Sequence, residues 1–91
     1  MLIKYGESDE PVNIEGFDEI QASIINDKLD YLNSVFDYAY VREYKNKHVG
    51  LIVEGEVQIE STLVNFLAKL LTFCNGVRLA FEKCKKSDTN L

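Results

Sequence analysis

The chain has 91 residues, 46% of them apolar and 27% charged, with one proline and a formal net charge of −5. A chain of that length forms one domain that buries about 60 to 65% of the surface its unfolded form would expose, and its composition excludes a wholly disordered or collagen-like polymer. The acidic balance argues against direct nucleic-acid binding, which calls for a basic surface.

In chain order, Leu2 to Tyr5 reads as a short strand, and Gly6 to Glu10 as a polar connection ending at Pro11. Val12 to Ile14 is the segment that can pair back as an extra edge strand. From Asp18 the period changes: Ile20, Ile24, Ile25, Leu29, Leu32, Val35 and Phe36 recur at three- and four-residue spacing, which predicts an amphipathic helix. Asp18 is its N-cap, Gln21 completes a capping box, and Phe17 stands where a hydrophobic staple begins. Asn26-Asp27 is a point at which this helix could break.

Beyond Asp37 the pattern becomes β-like. Tyr38, Tyr40, Arg42 and Tyr44 share one parity, Ala39, Val41 and Glu43 the other, and Lys45-Asn46-Lys47 makes a turn. Val49 to Glu54 is apolar on both parities, as in a strand covered on both faces, and Gly55 closes it. Ser61 is expected to cap a second helix that Asn75-Gly76 stops. Val77 to Glu82 alternates as a last strand, before a polar, lysine-bearing tail.

The predicted order is βαββαβ, an α+β two-layer sandwich of ferredoxin-like type with a possible extra N-terminal edge strand. The rival is a small α/β arrangement with a parallel βαβ unit at the C-terminal end. Residues 1–84 form the domain in either case, and residues 85–91 are expected to be a disordered tail.

The first six residues lack the basic start and apolar run of a secretory signal. The apolar-rich stretch Leu63 to Cys74 is interrupted by Asn65, Lys69 and Thr72 and is shorter than the roughly 20 residues of a membrane span. A cytoplasmic protein without membrane contact is therefore expected, with Cys74 and Cys84 as reduced thiols rather than a bridge.

No spacing of carboxylates, histidine or cysteines matches a metal loop or zinc motif. His48, the single histidine, has no nucleophile placed beside it, and Ser61 is accounted for as a cap. There is no glycine-rich phosphate loop. The expectation is a protein with no catalytic residues, no metal and no cofactor.

What remains is an asymmetry of charge. Through Asp37 there are nine acidic residues against Lys4 and Lys28, whereas the remainder carries eight basic and six acidic residues. Carboxylates gathered in this way steer a basic partner into contact. Glu15, Asp27, Asp30 and Asp37 are the expected partner-facing carboxylates, with Tyr38, Tyr40, Arg42 and Tyr44 as anchors of the types enriched at binding hot spots.

The functional expectation is a protein-binding inhibitor. Its most concrete form is a bacterial immunity protein that occludes the active site of a basic toxin, such as a nuclease domain. The alternative is a homodimeric regulatory domain that binds a small metabolite, suggested by a second helix apolar over most of its circumference.

Overall fold

The computed structural model describes the backbone of residues 2–89 and the side chains of residues 2–82. The first helix, α1 (Glu19–Val35), begins where the sequence places its cap. The Asp18 carboxylate accepts the Gln21 backbone N–H at 2.8 Å, and Gln21 Oε1 accepts that of Asp18 at 3.1 Å. This reciprocal pairing satisfies two N–H groups that the first turn would otherwise leave open.

Asn26-Asp27 does not break α1. The Asn26 side chain reaches across to the N-terminal strand β1 (Leu2–Ile3), accepting from Lys4 N–H at 2.8 Å and donating to Leu2 C=O at 3.1 Å. A polar residue in mid-helix thus serves as the anchor of a neighbouring chain segment. β1 pairs antiparallel with β2 (Val12–Asn13), so the segment left open in the sequence does join a strand pair.

At its other end α1 is tied to the main sheet by Asn33. Its amide accepts from Ala39 N–H and donates to Ala39 C=O, both at 2.9 Å, which fixes where β3 (Ala39–Tyr44) starts. β3 pairs with β4 (His48–Val53), and β4 with β5 (Glu56–Thr62), in an antiparallel meander of order β3-β4-β5. Glu54 and Gly55 both have positive φ, the two-residue primed turn that suits the twist of a hairpin.

The last element, α2 (Leu63–Thr89), folds back across the sheet beside α1. Val41, Val49, Leu51 and Ile59 of the sheet meet Ile25, Leu29 and Leu32 of α1 and Phe66 and Leu70 of α2 in one core, which Ile3, Ile14 and Phe17 extend toward the N-terminal strand pair. Burial of each such side chain stabilises the fold by about 1.5 to 3 kcal/mol.

The element order is ββαβββα, so the protein is α+β, with a three-stranded antiparallel sheet, a two-stranded sheet and two helices. This corrects the expected βαββαβ order at two places, and among the described residues there is no parallel strand pair for the βαβ rival. Residues 56–62 form β5 instead of a connection, and Ser61 lies buried within it, donating to Thr62 C=O at 3.0 Å rather than capping a helix.

Val77 to Glu82, expected as a strand, is the continuation of α2. Asn75-Gly76 fails as a stop because Phe66, Leu70, Cys74 and Val77 keep a single helical stripe in contact with the core. The α2 backbone runs on to Thr89, within the segment read as a tail, and the Cys84 side chain, with any pairing to Cys74, lies outside the described residues. At 1.5 Å per residue α2 is about 40 Å long, and the molecule measures 49 × 24 × 22 Å.

Uninterrupted, α2 also presents Leu63–Glu82 as a stretch long and apolar enough by length and composition to cross a membrane, with mean hydropathy 1.3. Phe66, Leu70 and Cys74 within it are seated in the core of the domain.

Gly76 lies on α2 without a positive φ, and a Cβ there would meet nothing within 4 Å. Gly76→Ala is therefore expected to stabilise the protein by about 0.5 to 1 kcal/mol, measured as a higher urea midpoint at unchanged slope. A lower midpoint would mean that Gly76 ends the helix in a left-handed conformation.

Candidate functional site

The alternation of β3 and β4 sends Ala39, Val41, Val49, Leu51 and Val53 to the helices and Tyr40, Arg42, Tyr44, Gly50 and Ile52 to the opposite face. Both helices pack on the first face, so the second is covered by its own side chains and by the N-terminal segment at one margin. Ile52, flanked across the strands by Tyr40 and Val57, is only 1% exposed. The tyrosines and Arg42 above it are half-buried.

These groups form a connected array. The Tyr38 and Tyr40 rings stack with centroids 5.4 Å apart, and Tyr5 meets Tyr38 edge-on at 6.3 Å. The Arg42 guanidinium lies 5.8 Å from the Tyr40 ring centroid, donates to the Tyr40 hydroxyl at 3.0 Å and pairs with Glu7 at 3.0 Å. The hydrogen bond to Glu7, first among several causes, holds the Arg42 pKa above its ordinary value. The Tyr38 hydroxyl donates to Gly6 C=O at 2.6 Å, and burial, followed by the Asp9 charge, pushes its pKa up.

Gly50 is what lets Tyr44 lie flat on this face. A Cβ at position 50 would come within 2.7 Å of the Tyr44 ring and 3.0 Å of Ile59 C=O. The absence of a side chain there has a packing cause, a close approach by a neighbouring ring.

Tyr38, Tyr40, Arg42 and Tyr44 are therefore brought together as the sequence implied, with Tyr5 and Glu7 as additions from the N-terminal segment. Glu15 joins them at one end: with Tyr44, Glu43, Lys47 and Thr62 it lines an open depression of about 820 Å³. Asp37 is near the other end, its backbone N–H donating to the Glu54 carboxylate at 3.0 Å. Asp27 is apart from the array, beside Lys28, Tyr31, Asn75 and Arg78 where α1 meets α2.

Asp30 is engaged within the molecule. It accepts from the Tyr5 hydroxyl at 2.5 Å and from Lys4 Nζ at 2.9 Å. These contacts, the Tyr5 bond first, hold its carboxyl below the ordinary range and raise the pKa values of Tyr5 and Lys4 in turn. Asp30 is thus a clasp for the N-terminal strand rather than a free carboxylate.

His48 Nδ1 lies 2.9 Å from Asn46 C=O, a contact within the β3–β4 turn. Burial raises the pKa of the Cys74 thiol, with Lys28 opposing. Among the described residues no group of three or more histidine, cysteine, aspartate or glutamate side chains is arranged to hold a metal ion. No protein-family model, curated protein or solved structure matches the chain, so its own side chains carry the functional reading.

A carboxyl with a lowered folded pKa contributes stability above its unfolded pKa and loses it as pH falls through the folded value. Titration of Asp30 by NMR is accordingly expected to give a midpoint below the ordinary value of about 4, moving upward in Tyr5→Phe. A midpoint unmoved by Tyr5→Phe would show that the hydroxyl bond is not its cause.

Proposed function

We propose that the protein is a protein-binding module that presents the outer face of its sheet to a basic partner. The most concrete form of this reading is a cytoplasmic inhibitor of the immunity type, which occludes the active site of a basic toxin such as a nuclease domain. Its carboxylates would stand where the toxin expects phosphate, and no cofactor or metal is needed for that.

The observation that supports the reading best is the tyrosine–arginine array on a sheet face that neither helix covers. Tyrosine and arginine in a half-buried cluster supply contact area at little cost in side-chain entropy, the property that makes them binding anchors. Glu7 neutralises Arg42, so the guanidinium offers its plane rather than a free charge to a basic partner.

The surrounding charge favours the same partner. Residues 2–82 contain 14 acidic and 7 basic side chains, a balance of −7, and among them only Lys4–Asp30 and Arg42–Glu7 form ion pairs. Glu15 and Asp37 therefore border the array as exposed carboxylates that form no ion pair among the described residues. Such a field raises the association rate with a basic protein and weakens as salt screens it.

A second reading, the homodimeric regulatory domain, has one observation in its favour. Leu79 and Phe81 on the far part of α2 are 59% and 52% exposed, as side chains covered by a second copy would be.

Capture of a partner by the tagged protein from native lysate, followed by titration at low and moderate salt, tests the first reading. The expected partner is basic, with an affinity that weakens by about tenfold or more as salt rises and by a further factor in Tyr40→Ala. An acidic partner, or an affinity indifferent to salt and to Tyr40→Ala, contradicts it.

A further inference from the structure

Besides its outer face the sheet has an unpaired edge. β5 bonds to β4 on one side, and among the described residues no backbone group pairs with it on the other. Such an edge presents a row of N–H and C=O groups ready to accept another strand. Gln58 forms a bulge in it, since Leu51 pairs with Ile59 and Ile52 with Val57, which leaves Ile59 to Thr62 as the regular run.

Beside this edge, on the helix side, lies a groove made of two adjoining depressions of about 400 and 370 Å³ that share Gln58 and Phe73. The first lies between Ile59 and Ala68, the second between Val53, Phe36 and Val77. A strand laid along β5 would point alternate side chains into this groove, which is apolar beside Ile59 and Phe73 and acidic at its Glu54 and Glu56 end, and send the others outward beside Val57 and Glu60.

Charge decides the occupant. Glu54, Glu56 and Glu60 are exposed along the edge and its turn, and among the described residues none forms an ion pair and one cation, Lys69, stands on the groove wall. A second copy would bring three further carboxylates to the same edge, and like charges close together across strands are destabilising. The bulge and the carboxylates guard the edge against self-pairing, yet the same carboxylates attract a cationic strand.

We infer that the β5 edge and the groove between it and α2 take an extended segment of a basic partner as a fourth strand, with apolar residues in the groove beside Ile59, lysine or arginine over Glu60 on the outer face, and a further cation at the groove's end beside Glu56. This inference rests on the reading of the protein as a binder of a basic partner, and adds a second, separable surface to it.

The test uses the full chain and a short peptide alternating lysine with valine, with a glutamate–valine peptide and a backbone N-methylated lysine–valine peptide as controls. The lysine peptide is expected to slow hydrogen exchange of the β5 amides that do not bond to β4 by about tenfold or more. Glu56→Gln with Glu60→Gln weakens its binding by about tenfold, and neither control peptide binds. Equal binding of the glutamate peptide, absence of protection at β5, or protection at β3 instead overturns the inference. With the captured partner, loss of affinity in Tyr40→Ala but none in the Glu56/Glu60 variant overturns the edge site alone, whereas indifference to both overturns the functional reading as well.

Discussion

Two helices cover one face of the three-stranded sheet, and among the described residues no third layer covers the other. The rest of the molecule follows from that division. Val41, Leu51 and Ile59 point to α1 and α2 and make the core, which obliges their neighbours Tyr40, Arg42, Tyr44 and Ile52 to face outward. An outward isoleucine needs cover. Half-buried side chains around it, rather than a third layer, supply it.

The N-terminal segment extends that arrangement. Asn26 and Asp30 on α1 hold Leu2, Lys4 and Tyr5 in place, Tyr5 C=O accepts from Val41 N–H at 3.2 Å at the free side of β3, and Glu7 continues to Arg42. One edge of the sheet is thereby partly closed and the other, β5, is not. The acidic side chains at the β5 edge carry the charge on which the proposed strand addition rests.

Much of this was legible in the residues. The Asp18–Gln21 box, the apolar stripe of α1 and the parity of Tyr38, Tyr40, Arg42 and Tyr44 are local signals, and tertiary packing agrees with each. β5 was missed because Glu56, Gln58 and Glu60 dilute its alternation and the bulge at Gln58 puts Val57 and Ile59 on opposite faces, although Glu54-Gly55 is a hairpin turn. Residues 77–82 are ambiguous by nature: Val77, Leu79 and Phe81 alternate, but Leu70, Cys74, Val77 and Phe81 also fit a helix, and contact with the core decides for the helix. Of the expected carboxylates, Glu15 and Asp37 border the array, while the ties of Asp30 to Lys4 and Tyr5 span more than 20 positions and no local pattern announces them.

On the proposed reading the partner meets the outer face of the sheet and its β5 edge, not the exposed side of α1. Chemical-shift mapping of the isotope-labelled protein bound to its basic partner tests it most directly. The expected changes centre on Tyr40, Arg42, Tyr44 and His48, with little effect on the exposed side of α1. Changes confined to Ser23, Asp27 and Lys28, with the sheet unmoved, would contradict it.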